Sequence, residues 1–268
     1  MNKKKQIILF IICPLLCLLI VTLGVIGYIS QNNLYINLNP DEKTAYKKAK
    51  EEIHRYAEWN KIDKDKWTDE LILLLSRNRE AEDFVLSYPD RKMYTSEPDM
   101  SKYLNTESVP LFMQWDKRWG YKKYGSSVAG ITGCGPVCLS MAATYLFNSP
   151  EYSPNKIIDF AIQEGYSTDG SGSKWALISE GGKKLGLNVT ELPLVERRIS
   201  NALNAGHPVI CVMGPGDFTT TGHFIVITDI RDGMYKINDP NSFENSQKLW
   251  DYRQIEGQIK NLWELSTD

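Results

Sequence analysis

Hydrophobic and polar residues follow three different rhythms along this chain. Residues 7–29 carry no charged side chain and are dominated by Ile, Leu and Val. Between about 40 and 88 apolar residues return every three or four positions, as in Tyr46, Ala49, Ile53, Tyr56 and Ala57 and again from Leu71 to Leu75, which predicts two or three short helices. Asn39-Pro40-Asp41-Glu42 supplies a cap residue, a first-turn proline and two acids, so a helix starts there. Thr68 is a candidate cap for the next one, and Tyr88-Pro89 closes the segment. Beyond Val109 the texture changes to Gly-rich turns, aromatic residues and short β-like runs. There the pattern predicts helices over 136–146, 174–185 and 195–205, and strands over 208–213, 223–230 and 234–238. A helical half followed by a sheet half is the signature of an α+β domain and argues against a doubly wound α/β fold. The expected organisation is an N-terminal transmembrane anchor over 1–30, a helical spacer over 31–100 and one domain over 101–268.

As a helix, the charge-free run spans roughly 34 Å, enough to cross a bilayer. Lys3, Lys4 and Lys5 precede it and no Lys or Arg follows until Lys43, so the positive-inside rule puts the N-terminus in the cytoplasm and the rest of the chain outside. Val25-Ile26-Gly27 would serve a cleaved signal peptide, but a secretory apolar region is shorter than this one, so an uncleaved anchor is preferred. Cys17 follows bulky Leu15 and Leu16, which disfavours lipid attachment.

Composition, 42% hydrophobic and 24% charged, excludes a disordered or collagen-like polymer. The net charge of −2 becomes more negative once the three leading lysines are set aside, leaving no basic face for nucleic acid. Beyond the apolar run only Cys134, Cys138 and Cys211 remain. An odd set of three thiols argues against a disulfide framework and directs attention to a single reactive one.

Gly133-Cys134-Gly135-Pro136 places Cys134 at the amino end of a predicted helix. There the helix dipole and unpaired backbone N–H groups favour a thiolate, and the same N–H groups can hold a developing oxyanion. Cys138, one turn further along the apolar face, and Cys211, inside an apolar strand, read as core residues. A thiolate needs a base. His223 opens a strand directly after Gly222, whereas His207 lies in the turn Ala205-Gly206-His207-Pro208 and His54 is a solvated helix residue. Asp239 ends the next strand and is the candidate orienter for His223, with Asp229 as a decoy and Asn241 as a fallback. Gln114 can donate an amide N–H to an oxyanion. His223 and Asp239 can meet only if they leave the same face of the hairpin between them. A regular two-residue turn at Asp232-Gly233 would split them, so a three-residue loop or an equivalent one-residue bulge is expected.

At these residues the sequence resembles the bacteriocin-processing (double-glycine leader) cysteine peptidase family, most closely its stand-alone exported members. The resemblance rests on Pro110-Leu111-Phe112-Met113-Gln114, Thr132-Gly133-Cys134-Gly135-Pro136, Gly222-His223-Phe224-Ile225-Val226 and Ile237-Asn238-Asp239-Pro240, in the family's order. It implies a papain-like fold with Cys134 as nucleophile, His223 as general base and acid, Asp239 as orienter and Gln114 as oxyanion donor. Transporter-linked members carry an ATP-binding domain, but no phosphate-binding Gly-x-x-x-x-Gly-Lys-[Ser/Thr] loop occurs here, so ATP is not an expected partner. The only Gly-Lys pair, Gly182-Lys183, reads as part of a helix-terminal turn, and no residue cluster has metal-ligand spacing, so neither a metal nor a cofactor is expected. The reading is a membrane-anchored extracellular thiol hydrolase acting on a peptide or amide. A catalytically silent module binding a peptide or wall component, and an acyl transferase using the same residues, remain alternatives.

Overall fold

The computed structural model describes residues 38–94, 96–170 and 172–267. The apolar segment 7–29 lies outside them, and among the described residues no helix is long and apolar enough to cross a membrane. The chain divides into two compact units between Arg77 and Asn78.

The first unit holds helices α1 (Pro40–Asn60) and α2 (Asp69–Arg77). The start of α1 follows its sequence signal: the Asn39 side chain accepts the Glu42 N–H and the Glu42 carboxylate accepts the Asn39 N–H, a reciprocal capping box. Its buried stripe is Tyr46, Ala49, Ile53 and Ala57, as the periodicity predicts, and Leu71, Ile72 and Leu75 are buried on α2. Tyr46 donates its hydroxyl hydrogen to Asp69, joining the two helices.

The second unit is built on a six-stranded antiparallel sheet. Its strands are β5 (Asn188–Glu191), β6 (Val209–Met213), β7 (His223–Arg231), β8 (Met234–Asn238), β9 (Leu249–Trp250) and β10 (Ile259–Ser266), in the order β5-β10-β6-β7-β8-β9. Two-stranded ribbons β1 (Lys123–Tyr124) with β2 (Ser127–Val128) and β3 (Ser167–Thr168) with β4 (Gly172–Ser173) precede it. Upstream lie the short helices α3 (Glu82–Leu86) and α4 (Ala129–Thr132), then α5 (Cys134–Phe147) and α6 (Pro154–Gln163), and α7 (Glu196–Asn204) connects β5 to β6. One sheet face, with Ile210, Val212, Phe224, Val226 and Trp263, packs in a single core with α5; the other, with Cys211, Met213, Ile225 and Ile227, packs with Ile199, Ala202 and Leu203 of α7. Covering both faces is why β6 reads as an unbroken apolar run, Val209 to Met213, with no alternation.

Two details depart from the sequence expectation. The stretch expected as one helix over 174–185 is instead a π-type turn over Leu177–Gly181 followed by a short α-turn over Gly182–Lys184. Gly181 and Gly182 lie inside this helical run with ordinary right-handed φ and ψ, and do not end it. Strand β10 carries no clean alternating pattern, because Lys260, Asn261 and Glu264 interrupt it and a register shift falls between Ile259 and Asn261, yet it lies between β5 and β6. The texture of the sequence changes beyond Val109, and the compact unit that holds the sheet begins at Asn78.

The β7–β8 hairpin settles its register in two steps. Arg231 pairs with Met234, so the turn is the two-residue Asp232-Gly233 and not the three-residue loop, with φ of 52° and 77° at its two positions. Positive φ at both central residues suits Asp followed by Gly. The register then shifts between Ile227 and Asp229, leaving Thr228 as the extra residue of a bulge, after which Ile227 pairs with Ile237 and Val226 with Asn238. The bulge supplies the one-residue offset that the triad requires, and Asp239 emerges on the face of Ile225 and His223.

Candidate active site

Helix α5 begins at Cys134, directly after Gly133, and its first turns are buried. The sulfur lies beside the His223 imidazole and the backbone N–H groups of Phe224, on β7, and Gly135, at the helix start, all of which favour the thiolate. His223 sits at the first position of β7, 7% exposed, and its Nε2 is 2.7 Å from Oδ1 of Asp239, which is 1% exposed. Because Nε2 is taken by the carboxylate, Nδ1 is the ring nitrogen left for Cys134. Helix start, strand start and strand end, drawn from positions 134, 223 and 239, converge on one chain of three groups, the imidazole and carboxylate buried and the thiol half-buried.

The carboxylate is itself fixed. Asn245 Nδ2 donates to Oδ2 at 3.0 Å and the Asn241 N–H donates to Oδ1 at 2.8 Å. The backbone N–H of Asp239 donates to Ser246 Oγ at 2.9 Å. Asn245 and Ser246 belong to a short helix, α8 (Phe243–Gln247), capped by the Ser242 hydroxyl. Sequence reasoning did not find these two; the only trace of them is the polar run Asn241-Ser242-Phe243-Glu244-Asn245-Ser246 after the strand.

Burial, the largest effect on Cys134, opposes ionisation, but the His223 imidazolium and the two N–H donors outweigh it and hold the thiol below its ordinary value. On His223 burial again opposes charge, and the Asp239 carboxylate with the Cys134 sulfur reverses it, raising the imidazole well above its ordinary value. Asp239 is lowered: burial resists, His223, Asn245 and Asn241 prevail. All three shifts favour thiolate, imidazolium and carboxylate together.

Gln114 is 3% exposed and lies beside this chain of groups, its backbone N–H donating to Pro240 O at 2.7 Å. Its side-chain Nε2 donates to the carbonyls of Gly130 (3.1 Å) and Ile131 (3.2 Å), both on α4, which ends just ahead of Cys134. Oε1 is buried without a hydrogen-bond partner. Both amide hydrogens are therefore committed, and the amide must turn off those carbonyls before it can serve an oxyanion.

The model of the Peptidase_C39 like family matches residues 106–268, a stretch that contains all four of these residues. The chain belongs to that family. This is the family that the four ordered motifs implied, and its α+β architecture is the papain-like one of C39 peptidases. Among solved structures the chain is similar to the peptidase domain of Streptococcus ComA, described as a bi-functional ABC transporter involved in a quorum sensing pathway. The identity is 20%, with 60% of this chain and 99% of that one covered and a TM-score of 0.40. It is also similar to a protein of Bacillus anthracis described as a C39-like peptidase, at 13% identity, 61% and 99% coverage and a TM-score of 0.42. A search of curated proteins found no match.

The other candidates of this C39-like chain fall away from the three-residue chain. Cys138 and Cys211 are fully buried in the two cores, and burial pushes both thiols up. His207 Nδ1 is 2.8 Å from Glu264 on β10. Asp229 is held at the hairpin tip by Arg231 at 2.8 Å. His54 is half-buried on α1 in the other unit.

Proposed function

We propose that this protein is a membrane-anchored extracellular cysteine peptidase that cleaves a peptide or related amide bond through an acyl-enzyme. The observation that carries the reading is the chain Cys134, His223, Asp239, with the 2.7 Å bond between Asp239 and Nε2 and the half-buried thiol beside the imidazole. Family membership supports the peptidase class. The charge-free segment 7–29 and the lysines before it support the anchor and its orientation.

In this reading the Cys134 thiolate attacks the substrate carbonyl carbon and the π electrons move to oxygen. Backbone N–H groups at the start of α5, joined by the Gln114 amide once it swings off Gly130 and Ile131, receive the oxyanion. The His223 imidazolium gives its proton to the leaving amine as the C–N bond breaks, and a thioester remains on Cys134. Neutral His223 then takes a proton from water, hydroxide attacks the thioester, and the acid product leaves with the thiolate and imidazolium restored. Asp239 stays ionised throughout and keeps the ring oriented. The direct test is to treat the purified protein with a thiol-reactive acyl probe and map the adduct. Labelling confined to Cys134, and lost in Cys134→Ser, supports the reading; labelling of Cys138 or Cys211 instead overturns it.

A further inference from the structure

Residues 78–86 lie outside the matched region 106–268, yet two of their side chains, Asn78 and Glu80, end on the loop that follows Asp239. The Glu80 carboxylate accepts the backbone N–H groups of Phe243 at 2.6 Å and Glu244 at 3.1 Å and the Ser242 hydroxyl at 3.2 Å, all at the start of α8. Asn78 donates through Nδ2 to both oxygens of Asn241 and accepts the Glu80 N–H on Oδ1 at 2.9 Å. Asn241 and α8 are the two supports of the Asp239 carboxylate, one for each oxygen. Oδ1 of Asp239 is thus one residue, Asn241, removed from Asn78, and Oδ2 is reached from Glu80 through Ser242 and Asn245. N–H bonds to a carboxylate are charge-assisted, and three donors on one carboxylate fix where α8 sits.

The segment that presents these side chains is tied to the elements that lead into Cys134 as well. The Phe84 ring stacks on Tyr121 with centroids 4.5 Å apart, and the Tyr121 hydroxyl donates to the Phe84 carbonyl at 2.8 Å. The same ring lies so close to Gly130 of α4 that a Cβ there would meet it at 2.3 Å. Lys117 pairs with Asp83 at 2.7 Å.

We propose that Asn78 and Glu80 are positioning residues, a clasp that sets the Asp239 carboxylate against His223, so that the catalytic unit begins at Asn78 and not at the start of the matched region. The proposal rests on the peptidase reading of Cys134, His223 and Asp239. Its logic is geometric: a carboxylate with 1% exposure has no water to replace a lost donor, so if α8 or Asn241 drifts the carboxylate turns and the 2.7 Å bond to Nε2 lengthens.

The test uses the full chain and iodoacetamide, with the alkylation rate of Cys134 followed against pH by peptide mapping. Glu80→Ala is expected to move the acid limb of that profile upward and to slow alkylation at its foot by roughly tenfold, the scale of a modest misplacement. Glu80→Gln keeps one acceptor oxygen and is expected to show an intermediate shift, and it carries the test if the alanine variant melts. Lys117→Ala loosens the same segment without touching α8 and is expected to leave the limb in place. A limb unmoved in both Glu80 variants, or moved as far by Lys117→Ala, overturns the clasp. If Cys134 in the unaltered protein is alkylated no faster than Cys138 and Cys211, the peptidase reading fails instead, whatever Glu80 does.

Discussion

At Cys134 the sulfur lies beside two backbone N–H groups and an imidazolium, while Cys138 and Cys211 are fully buried in the two apolar cores; chemically identical residues are separated by environment alone. Cys134→Ser is therefore expected to lower kcat/KM by roughly 10⁴-fold or more, whereas Cys138→Ser and Cys211→Ser leave most of it in folded protein, measured on any cleavable peptide. The reactive form needs Cys134 deprotonated and His223 protonated. Because the thiol is lowered and the imidazole raised to about 10, kcat/KM should rise with pH below the ordinary thiol value, hold a plateau, and fall as pH passes about 10. Asp239→Asn keeps an acceptor for Nε2–H but removes the charge that raises His223. Its profile should keep the same shape with the alkaline limb moved down toward 6.5, while Asp239→Ala loses orientation too and falls further in rate.

Among the elements, helix α4 and the β7–β8 hairpin carry glycines for different reasons, and their substitutions should separate. Gly130 gives room to the Phe84 ring, so Gly130→Ala forces a 2.3 Å contact in a packed interior and should destabilise by about 1–3 kcal/mol with a loss of activity, since α4 leads into Cys134. Pairing it with Phe84→Leu should recover part of the melting temperature. Gly233 has φ of +77° and open space around it, so Gly233→Ala pays only backbone strain, about 1 kcal/mol, and should leave the rate per folded molecule unchanged. Thermal melts beside initial rates distinguish the two outcomes.

On the scale of the molecule, the sheet brings a helix start, a strand start and a strand end to one place, and both sheet faces are covered so that the site is held by two cores. Residues 7–29 contribute nothing to the four motifs. A chain lacking residues 1–30 should remain monodisperse in buffer and active, while the full chain should sediment with membranes; precipitation of the shortened chain would show that the segment belongs to the fold.

Local signals in the sequence were sufficient for the start of α1, for Cys134 at the head of a helix and for strands β6 to β8, because each is written in neighbouring residues as a cap, a turn or a periodicity; the order Gln, Cys, His, Asp was legible through the family resemblance. They were sufficient too for the demand that His223 and Asp239 share a face, which follows from the two-residue period of a strand. How that demand is met was decided by tertiary structure: the Asp232-Gly233 turn keeps its local preference, and Thr228 absorbs the offset because Ile225 and Ile227 must stay in the core shared with α7. Strand β10 was invisible for the same reason, since its place between β5 and β6 depends on partners at positions 188–191 and 209–213 and not on a pattern of its own. The grip of Asn78 and Glu80 on the loop after Asp239 joins residues about 160 positions apart, and no local pattern records a contact at that separation.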